Sequence, residues 1–199
     1  SPVTASWDSN VDRLLIVYSI QSANTKGVVY AISGGALVTA GATAPGTAVD
    51  VTGGTTYNEV PTRMEFDSDN NMHHYLYEDG GDSDYLKLAG LTVTGGTTNT
   101  VAVTIAGTKV NGANITTSYG IALKWGNDKA LIVYEDGGDS NYCKAIIATH
   151  NGSAYSWGSI IEPFGANQAI DIPYYVTGNA IAFDTSNNNW VIGGYWTDG

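Results

Sequence analysis

Apolar residues along this chain fall in short alternating runs that are bounded by polar and glycine-rich clusters. The runs at 13–18, 27–32, 101–105 and 129–134 are rich in β-branched and aromatic residues. Runs of this kind, closed by Gly, Asn, Asp and Ser, are typical of short strands joined by tight turns. No segment keeps the 3.6-residue period of an amphipathic helix for ten residues. The pattern therefore predicts an all-β fold.

A nine-residue motif occurs twice, almost letter for letter. Tyr77-Glu-Asp-Gly-Gly-Asp-Ser-Asp-Tyr85 recurs 57 residues later as Tyr134-Glu-Asp-Gly-Gly-Asp-Ser-Asn-Tyr142. Weaker copies lie on either side, and the tyrosines that anchor the four copies are spaced by 59, 57 and 61 residues. A regular period of this length indicates a repeat architecture. The anchors are Tyr18, Tyr77, Tyr134 and Tyr195.

Each copy contains four apolar segments separated by the same kinds of turn. An aromatic-Asp turn follows the first segment, an acidic Gly-Gly loop the second, and a Thr/Ser-Gly-Gly turn the third. Four short antiparallel strands in such a length describe a propeller blade. We therefore predict a β-propeller-like array of four-stranded antiparallel blades, with about three and a third copies of a 57–61-residue repeat. In the second copy we expect strands near Thr62–Asp67, Met72–Tyr77, Tyr85–Val93 and Thr100–Gly107.

The expected copies are residues 1–61 (divergent), 62–118, 119–177 and 178–199 (truncated). Propellers close with roughly four to eight blades. Three arrangements remain open: a stretch of a longer chain, a ring completed by several chains, or four-stranded sheets stacked along a fibre. The chain starts at Ser1 without a charged-then-apolar leader, so we expect a processed product or part of a longer chain. We also expect a homo-oligomer.

The charge balance narrows the class of partner. The 199 residues hold 8 Lys+Arg against 19 Asp+Glu, a formal net charge of -11. Nucleic acids and anionic membranes need clustered Lys and Arg, so the balance argues against both as partners. No run approaches eighteen apolar residues, so no membrane span is expected. The single Cys excludes an internal disulfide framework and a Cys-rich zinc site.

The segment Val133–Tyr142, followed by Ala145–Thr149 and the Trp157-Gly-Ser159 close, resembles a tandem repeat common in virion proteins of phages, particularly marine ones. Those repeats look like propeller blades in large tail-fibre or surface proteins. The resemblance covers most of residues 66–157, and it weakens in the first copy, where Tyr18-Ser-Ile-Gln-Ser22 lacks the acidic loop. It implies an exposed structural or adhesion module on a virion or in the extracellular space, without catalytic residues.

The acidic Gly-Gly loops are candidate calcium sites. Their glycines allow the backbone to fold back so that carboxylates converge, and oxygen ligands suit Ca²⁺. The alternative is a solvated hairpin whose Asp side chains cap their own turns. The candidate ligands are Glu78, Asp79, Asp82, Asp84, Glu135, Asp136 and Asp139.

Aromatic rings are candidates for recognising a host-surface glycan, since rings stack on the apolar faces of sugars. The alternative is that repeat-matched rings pack between blades. In an ungapped alignment Trp125 and Tyr155 fall opposite Ser68 and Thr98, which favours these two rings as sugar-stacking residues. The candidate rings are Trp125, Tyr155, Trp157, Tyr85 and Tyr142.

The sequence contains few patterns that are typical of catalytic sites. Two Gly-Asp-Ser triplets lie in the duplicated acidic loops, and no helix follows either to form a nucleophile elbow. His73 and His74 are neighbours on a predicted strand, so they point to opposite faces and cannot share a metal. We therefore expect a non-enzymatic structural or adhesion module of a phage virion, binding a host glycan or a neighbouring virion protein. Alternatives are a secreted microbial lectin or fibre subunit and, less favoured, a polysaccharide-cleaving propeller enzyme.

Overall fold

A computed structural model describes residues 3–19, 24–38, 45–55, 62–96, 99–113, 115, 117–166, 170–171 and 181–196. Within these residues the secondary structure consists of seventeen strands and two three-residue 3-10 turns, Gly80–Asp82 and Val110–Gly112. The all-β prediction is confirmed. In this part of the chain no helix has the length and apolar character needed to cross a membrane.

The first sheet follows the order β1-β2-β3-β4, and β5 also pairs with β3. All of these pairings are antiparallel. The strands are β1 (Val3–Asp8), β2 (Arg13–Ser19), β3 (Asn24–Ser33), β4 (Ala36–Leu37) and β5 (Val49–Thr55).

The second and third sheets are four-stranded antiparallel meanders, in the orders β6-β7-β8-β9 and β10-β11-β12-β13. The four strands expected in the second copy are confirmed, each within a few residues of its predicted bounds. The second sheet contains β6 (Arg63–Asp67), β7 (Met72–Asp79), β8 (Tyr85–Thr94) and β9 (Thr100–Lys109). The third contains β10 (Thr117–Gly126), β11 (Lys129–Asp136), β12 (Tyr142–His150) and β13 (Tyr155–Trp157).

Two further strand pairs follow the third sheet. The strand β15 (Ile181–Asp184) forms a hairpin with β16 (Asn189–Ile192), and β14 (Ile170–Asp171) pairs with β17 (Tyr195–Trp196). The hairpin corresponds to the first two strands of the other sheets, because Phe183 pairs with Trp190 as Phe66 pairs with His73.

The sheets stack face to face in chain order. Every residue of β7 is buried, because the second sheet is covered on both faces. Tyr75 and Tyr77 pack toward the first sheet, whereas Leu76 packs toward the third. The alternation follows from the two-residue period of a strand. Within the described residues the sheets do not close into a barrel or ring.

Three apolar clusters fill the spaces between successive layers. Leu15 and Val17 meet Leu91 and Val93 between the first and second sheets. Between the second and third sheets, Leu76, Leu86 and Leu88 pack against apolar side chains of the third sheet. A smaller cluster lies between the third sheet and the β15–β16 hairpin. The third-sheet set is Ile121, Leu123, Trp125, Ala130, Ile132, Tyr134, Ile146 and Ala148.

The turn between the first two strands differs among the sheets. In the second sheet the Asp67 carboxylate accepts the backbone N–H groups of Asp69 and Asn70, which closes a four-residue loop. In the third sheet Gly126 pairs with Lys129, so the loop has only two residues, Asn127 and Asp128, both with positive φ. Asn and Asp tolerate that conformation in tight hairpins. A Cβ at Gly126 would overlap the Phe183 ring, so the glycine also lets the next hairpin approach.

Candidate functional site

The two acidic Gly-Gly loops have the same internal structure. In the second sheet Asp79 accepts the Gly81 N–H at 2.9 Å, and the Lys87 ammonium lies 2.8 Å from both Asp79 and Asp82. Asp84 is exposed at the end of this loop, and Glu78 is buried on β7. The Asx contact satisfies a turn N–H, and the lysine compensates the acidic charge.

The loop of the third sheet repeats this arrangement. Asp136 accepts the Gly138 N–H at 3.0 Å, and Lys144 lies 2.9 Å from Asp136 and 2.6 Å from Asp139. Burial alone would lower the pKa of Lys144, but the two carboxylates outweigh it and raise the pKa. Glu135 is buried on β11. Calcium binding by either loop stays a prediction, and the corresponding residues 20–23 of the first copy lie outside the described residues.

The candidate glycan rings separate into two groups. Tyr85 and Tyr142 are partly buried beside the acidic loops, and the Lys109 ammonium lies 4.1 Å from the centre of the Tyr85 ring. Trp125 is buried and Tyr155 and Trp157 are partly buried, all three packed in the cluster between the second and third sheets. Glycan binding by these rings stays a prediction.

The strand register corrects the alignment that singled out Trp125 and Tyr155. Trp125 pairs with Ala130 as Phe66 pairs with His73, so Trp125 corresponds to Phe66, not to Ser68. The ungapped comparison missed this because the third-sheet turn is two residues shorter.

Tyr155 requires a similar correction. It pairs with His150 as Val101 pairs with Val93, so its counterpart is the buried Val101 and not Thr98, which lies outside the described residues. Both rings therefore occupy repeat-matched packing positions.

A buried polar cluster lies where these rings meet, at the turn edge of the second and third sheets. Its centre is Asp67, which is 1% exposed at the end of β6. One carboxylate oxygen accepts two turn N–H groups, and the other, Oδ2, lies 2.8 Å from Asn70 Nδ2 and 3.1 Å from His150 Nε2. Burial alone would raise the pKa of Asp67, but the interactions with His74, His150 and Asn70 hold it well below its usual range. The carboxylate is therefore ionised in the folded protein.

His74 forms the second wall of the cluster. Its ring stacks on Trp125 with centroids 3.9 Å apart and planes 9° apart, and its Nδ1 lies 2.8 Å from the Tyr155 hydroxyl. Its Nε2 lies 3.8 Å from Asp67 Oδ2, which is longer than a hydrogen bond. Burial lowers the pKa of His74, with only partial compensation by Asp67, so the ring is neutral at pH 7.

The backbone fixes the proton position on His150. The Gly152 N–H donates to His150 Nδ1 at 3.1 Å, so this nitrogen is an acceptor. In the neutral ring the proton then lies on Nε2, which faces Asp67. Burial and the Asp67 charge raise the pKa of Tyr155, so its phenol stays protonated. The phenol can therefore donate to His74 Nδ1, which places the His74 proton on the nitrogen that faces Asp67.

Asp67, His74 and His150 also place three metal-ligating atoms within 4.8 Å of one another. A metal ion would need the lone pair of His150 Nε2. Because the Gly152 N–H occupies the lone pair of Nδ1, the proton remains on Nε2. The geometry is that of a buried hydrogen-bonded network joining two sheets, and a metal ion at this place would have to displace the proton that His150 Nε2 directs at Asp67. Asp67 also groups with the exposed turn residues Asp69 and Asp128.

The corresponding place between the first and second sheets holds a simpler pair. Asp8 and His73 are both fully buried, and Asp8 Oδ2 lies 3.4 Å from His73 Nε2. Burial lowers the pKa of His73 to about 4, against a smaller opposing effect of Asp8. As expected, His73 and His74 face opposite sheets and share no site.

No sequence motif pointed to the polar cluster as a site. Asp67 ends the first expected strand of the second copy, at the aromatic-Asp turn, and no motif included His150. One signal was available in the composition, because the chain has only three His. In the strand register His74 occupies the position that Leu15 and Leu131 hold in the neighbouring sheets, so a polar residue stands there in place of an apolar one.

A pocket of about 380 Å³ lies between the third sheet and the β15–β16 hairpin. Its wall is largely apolar and includes Leu131, Ile147, Ile161 and Trp190. The pocket follows from the incomplete contact between these two layers, which share the smallest of the three apolar clusters.

Comparisons of this chain with protein-family models, with curated proteins and with solved structures found no significant match. The resemblance to virion repeats therefore rests on the sequence motifs alone.

Proposed function

We propose that this chain is a non-enzymatic structural and adhesion module of a phage virion, in a tail fibre or surface protein. The sheets would be blades of a propeller-like array that presents its loops to host glycans. The observation that carries the proposal is the face-to-face stacking of repeated antiparallel sheets, the first five-stranded and the next two four-stranded, in which corresponding positions form successive interfaces. Quasi-linear stacks of this kind present extended surfaces and suit a fibre or an adhesin.

The polar chemistry of the described residues supports a structural role. Asp67, His74 and His150 are between 0 and 2% exposed at their side chains, so a substrate has no direct access to them. Asp67 and His150 hydrogen-bond to each other and to turn backbone N–H groups, and His74 Nδ1 bonds with the Tyr155 hydroxyl, whereas His74 Nε2 faces Asp67 at 3.8 Å. A buried polar cluster of this kind orients the two sheets relative to each other.

The loop edge is the surface that we assign to adhesion. Tyr85 and Tyr142 occupy corresponding positions next to the two acidic loops, and both are partly exposed. Rings stacked on a sugar, with carboxylates and ammonium groups close by to bind hydroxyls, are a common arrangement for carbohydrate recognition. If the loop edge is repeated from blade to blade, several weak glycan contacts act together and raise the overall avidity.

The virion assignment is tested by mass spectrometry of purified phage particles from the source. Peptides of this chain should be present in the particles at a stoichiometric level. Their absence from particles, with the chain found in the secreted fraction, would overturn the virion assignment and favour the secreted lectin or fibre subunit.

The adhesion assignment is tested by a glycan array and by binding to host envelope polysaccharide. Tyr142→Ala should weaken binding by at least about tenfold, which corresponds to about 1.4 kcal/mol. Ile160→Ser, at an exposed apolar position on the segment that follows β13, is the control and should bind as the unmodified chain does. No binding to any glycan, or equal binding by both variants, would overturn this part of the proposal. Release of reducing ends from the polysaccharide would contradict the non-enzymatic assignment.

A further inference from the structure

The outer face of the first sheet exposes large apolar side chains. Trp7, Ile32 and Leu37 are 40, 43 and 42% exposed, and Val3 on the same face is more exposed still. Leu14, Ile16 and Tyr18 alternate on this face with the fully covered Leu15 and Val17. Several large apolar side chains exposed together on an outer sheet face are typical of an interaction site.

The repeat shows what covers this face elsewhere in the molecule. By strand register Trp7 corresponds to Trp125, which is 9% exposed because the preceding sheet lies over it. Ile32 pairs with Leu37 as Val93 pairs with Val101, and both valines are buried against the first sheet. The exposed residues therefore occupy positions that are buried when another sheet of the repeat precedes them.

The opposite end of the stack has the complementary face. Val191 on β16 is 60% exposed. By register it corresponds to Leu15, His74 and Leu131, each of which is buried under the following sheet. The β15–β16 hairpin thus presents the type of surface that, in the other layers, receives the next sheet.

We propose that the outer face of the first sheet docks on the β15–β16 end of a second copy of this chain. The contact continues the interface that the first sheet makes with the second and the second with the third. It is heterologous, so repetition gives either a closed ring or an open filament. This inference depends on the stacking, not on virion location or glycan binding, and it can fail while the proposed function stands.

The test uses the 199-residue chain and two single variants, one at each end. Ile32→Glu places a charge on the outer face of the first sheet, and Val191→Glu places one on the hairpin face. Val103→Glu is the matched control, because Val103 is 39% exposed but lies on the outermost strand of the second sheet. Circular dichroism and thermal unfolding confirm that each variant folds.

Analytical ultracentrifugation over a range of concentrations should show assembly of the unmodified chain and of Val103→Glu. Each end variant alone should be monomeric. An equimolar mixture of the two end variants should form dimers and no larger species, because each partner supplies one intact face.

Two outcomes overturn the inference. A monomeric unmodified chain at every concentration would mean that a second copy does not cover the face. Loss of assembly in Ile32→Glu alone, with Val191→Glu unaffected, would mean that first sheets pair symmetrically with one another and not with the hairpin.

Discussion

Between the first and second sheets, Leu15 of the first packs against Val93 and Val101 of the second. Between the second and third sheets, His74 of the second contacts His150 and Tyr155 of the third. These two sets occupy corresponding positions of the repeat. At these positions the first interface is apolar, and its polar contacts lie around it: the buried Asp8–His73 pair and the hydrogen bond from Arg13 Nε to Asn99 Oδ1. The second interface instead surrounds the buried Asp67 with hydrogen-bonding partners. The comparison shows that the repeat preserves the geometry of stacking while the chemistry of each interface varies.

The difference has an energetic consequence. An apolar interface tolerates loss of one side chain at the cost of a cavity, whereas a buried polar network loses satisfied partners when any member is removed. The Asp67 cluster should therefore be the more specific of the two interfaces, and the apolar clusters should contribute most of the stability.

The largest effect is expected from the apolar part of the second interface. Leu76→Ala removes a fully buried side chain between the second and third sheets and should lower the free energy of unfolding by about 2 to 5 kcal/mol. Urea unfolding followed by tryptophan fluorescence measures it. Val103→Ala, at an exposed position on β9, is the control and should change stability by less than about 0.5 kcal/mol. Equal effects would show that Leu76 is not between sheets.

The comparison of the two interfaces is tested by matched aspartate variants. Asp67→Ala should cost about 2 to 3 kcal/mol, because it leaves two turn N–H groups and the partners of Oδ2 unsatisfied. Asp8→Ala should cost about 1 to 2 kcal/mol, since Asp8 Oδ1 accepts two turn N–H groups but Oδ2 has no hydrogen-bond partner among the residues that the structure describes. Chemical denaturation at pH 7 gives both values. A larger loss for Asp8→Ala would reverse the ranking of the two sites.

Acid should weaken the first interface through His73. Its folded pKa of about 4 lies below the unfolded value of 6.5. The resulting stability is fully present above pH 6.5 and is lost as the pH falls through 4. His73→Ala, which introduces the residue found at the corresponding Ala130, should reduce the loss between pH 7 and 4 by about 2 kcal/mol. Unchanged pH dependence in this variant would assign the acid sensitivity to other groups.

The smallest effect is expected from the ion pair that joins the edges of the second and third sheets. Lys124 Nζ lies 2.7 Å from Glu65 Oε2, and both side chains are partly exposed. Lys124→Met should cost about 0.5 kcal/mol at low salt, and the difference should vanish in about 1 M NaCl because salt screens the pair. Thermal unfolding at two salt concentrations measures it. A salt-independent loss would indicate a packing contribution of the lysine stem.

The repeat made much of the fold predictable. Matching motifs placed the strands of the second sheet, because period-2 patterning and turn residues are local signals. The opposite directions of His73 and His74 also followed from the strand period. The acidic loops were located correctly, but their pairing with Lys87 and Lys144 depends on side chains eight residues away across a hairpin.

The polar cluster was not predictable by the same reasoning. Asp67 and His150 are separated by 83 residues and meet only because two sheets stack. The role of Trp125 was obscured by a turn that is two residues shorter in the third sheet, which shifts an ungapped alignment. Contacts between sheets depend on register and stacking order, which a single sequence does not specify.

The most direct test of the stacking is a double-mutant cycle between Asp67 and His150. We predict a coupling free energy of at least about 1 kcal/mol between Asp67→Ala and His150→Ala at pH 7, because the two side chains share a buried hydrogen bond across the second interface. Additive effects, within about 0.3 kcal/mol, would contradict the contact and with it the packing of the third sheet on the second.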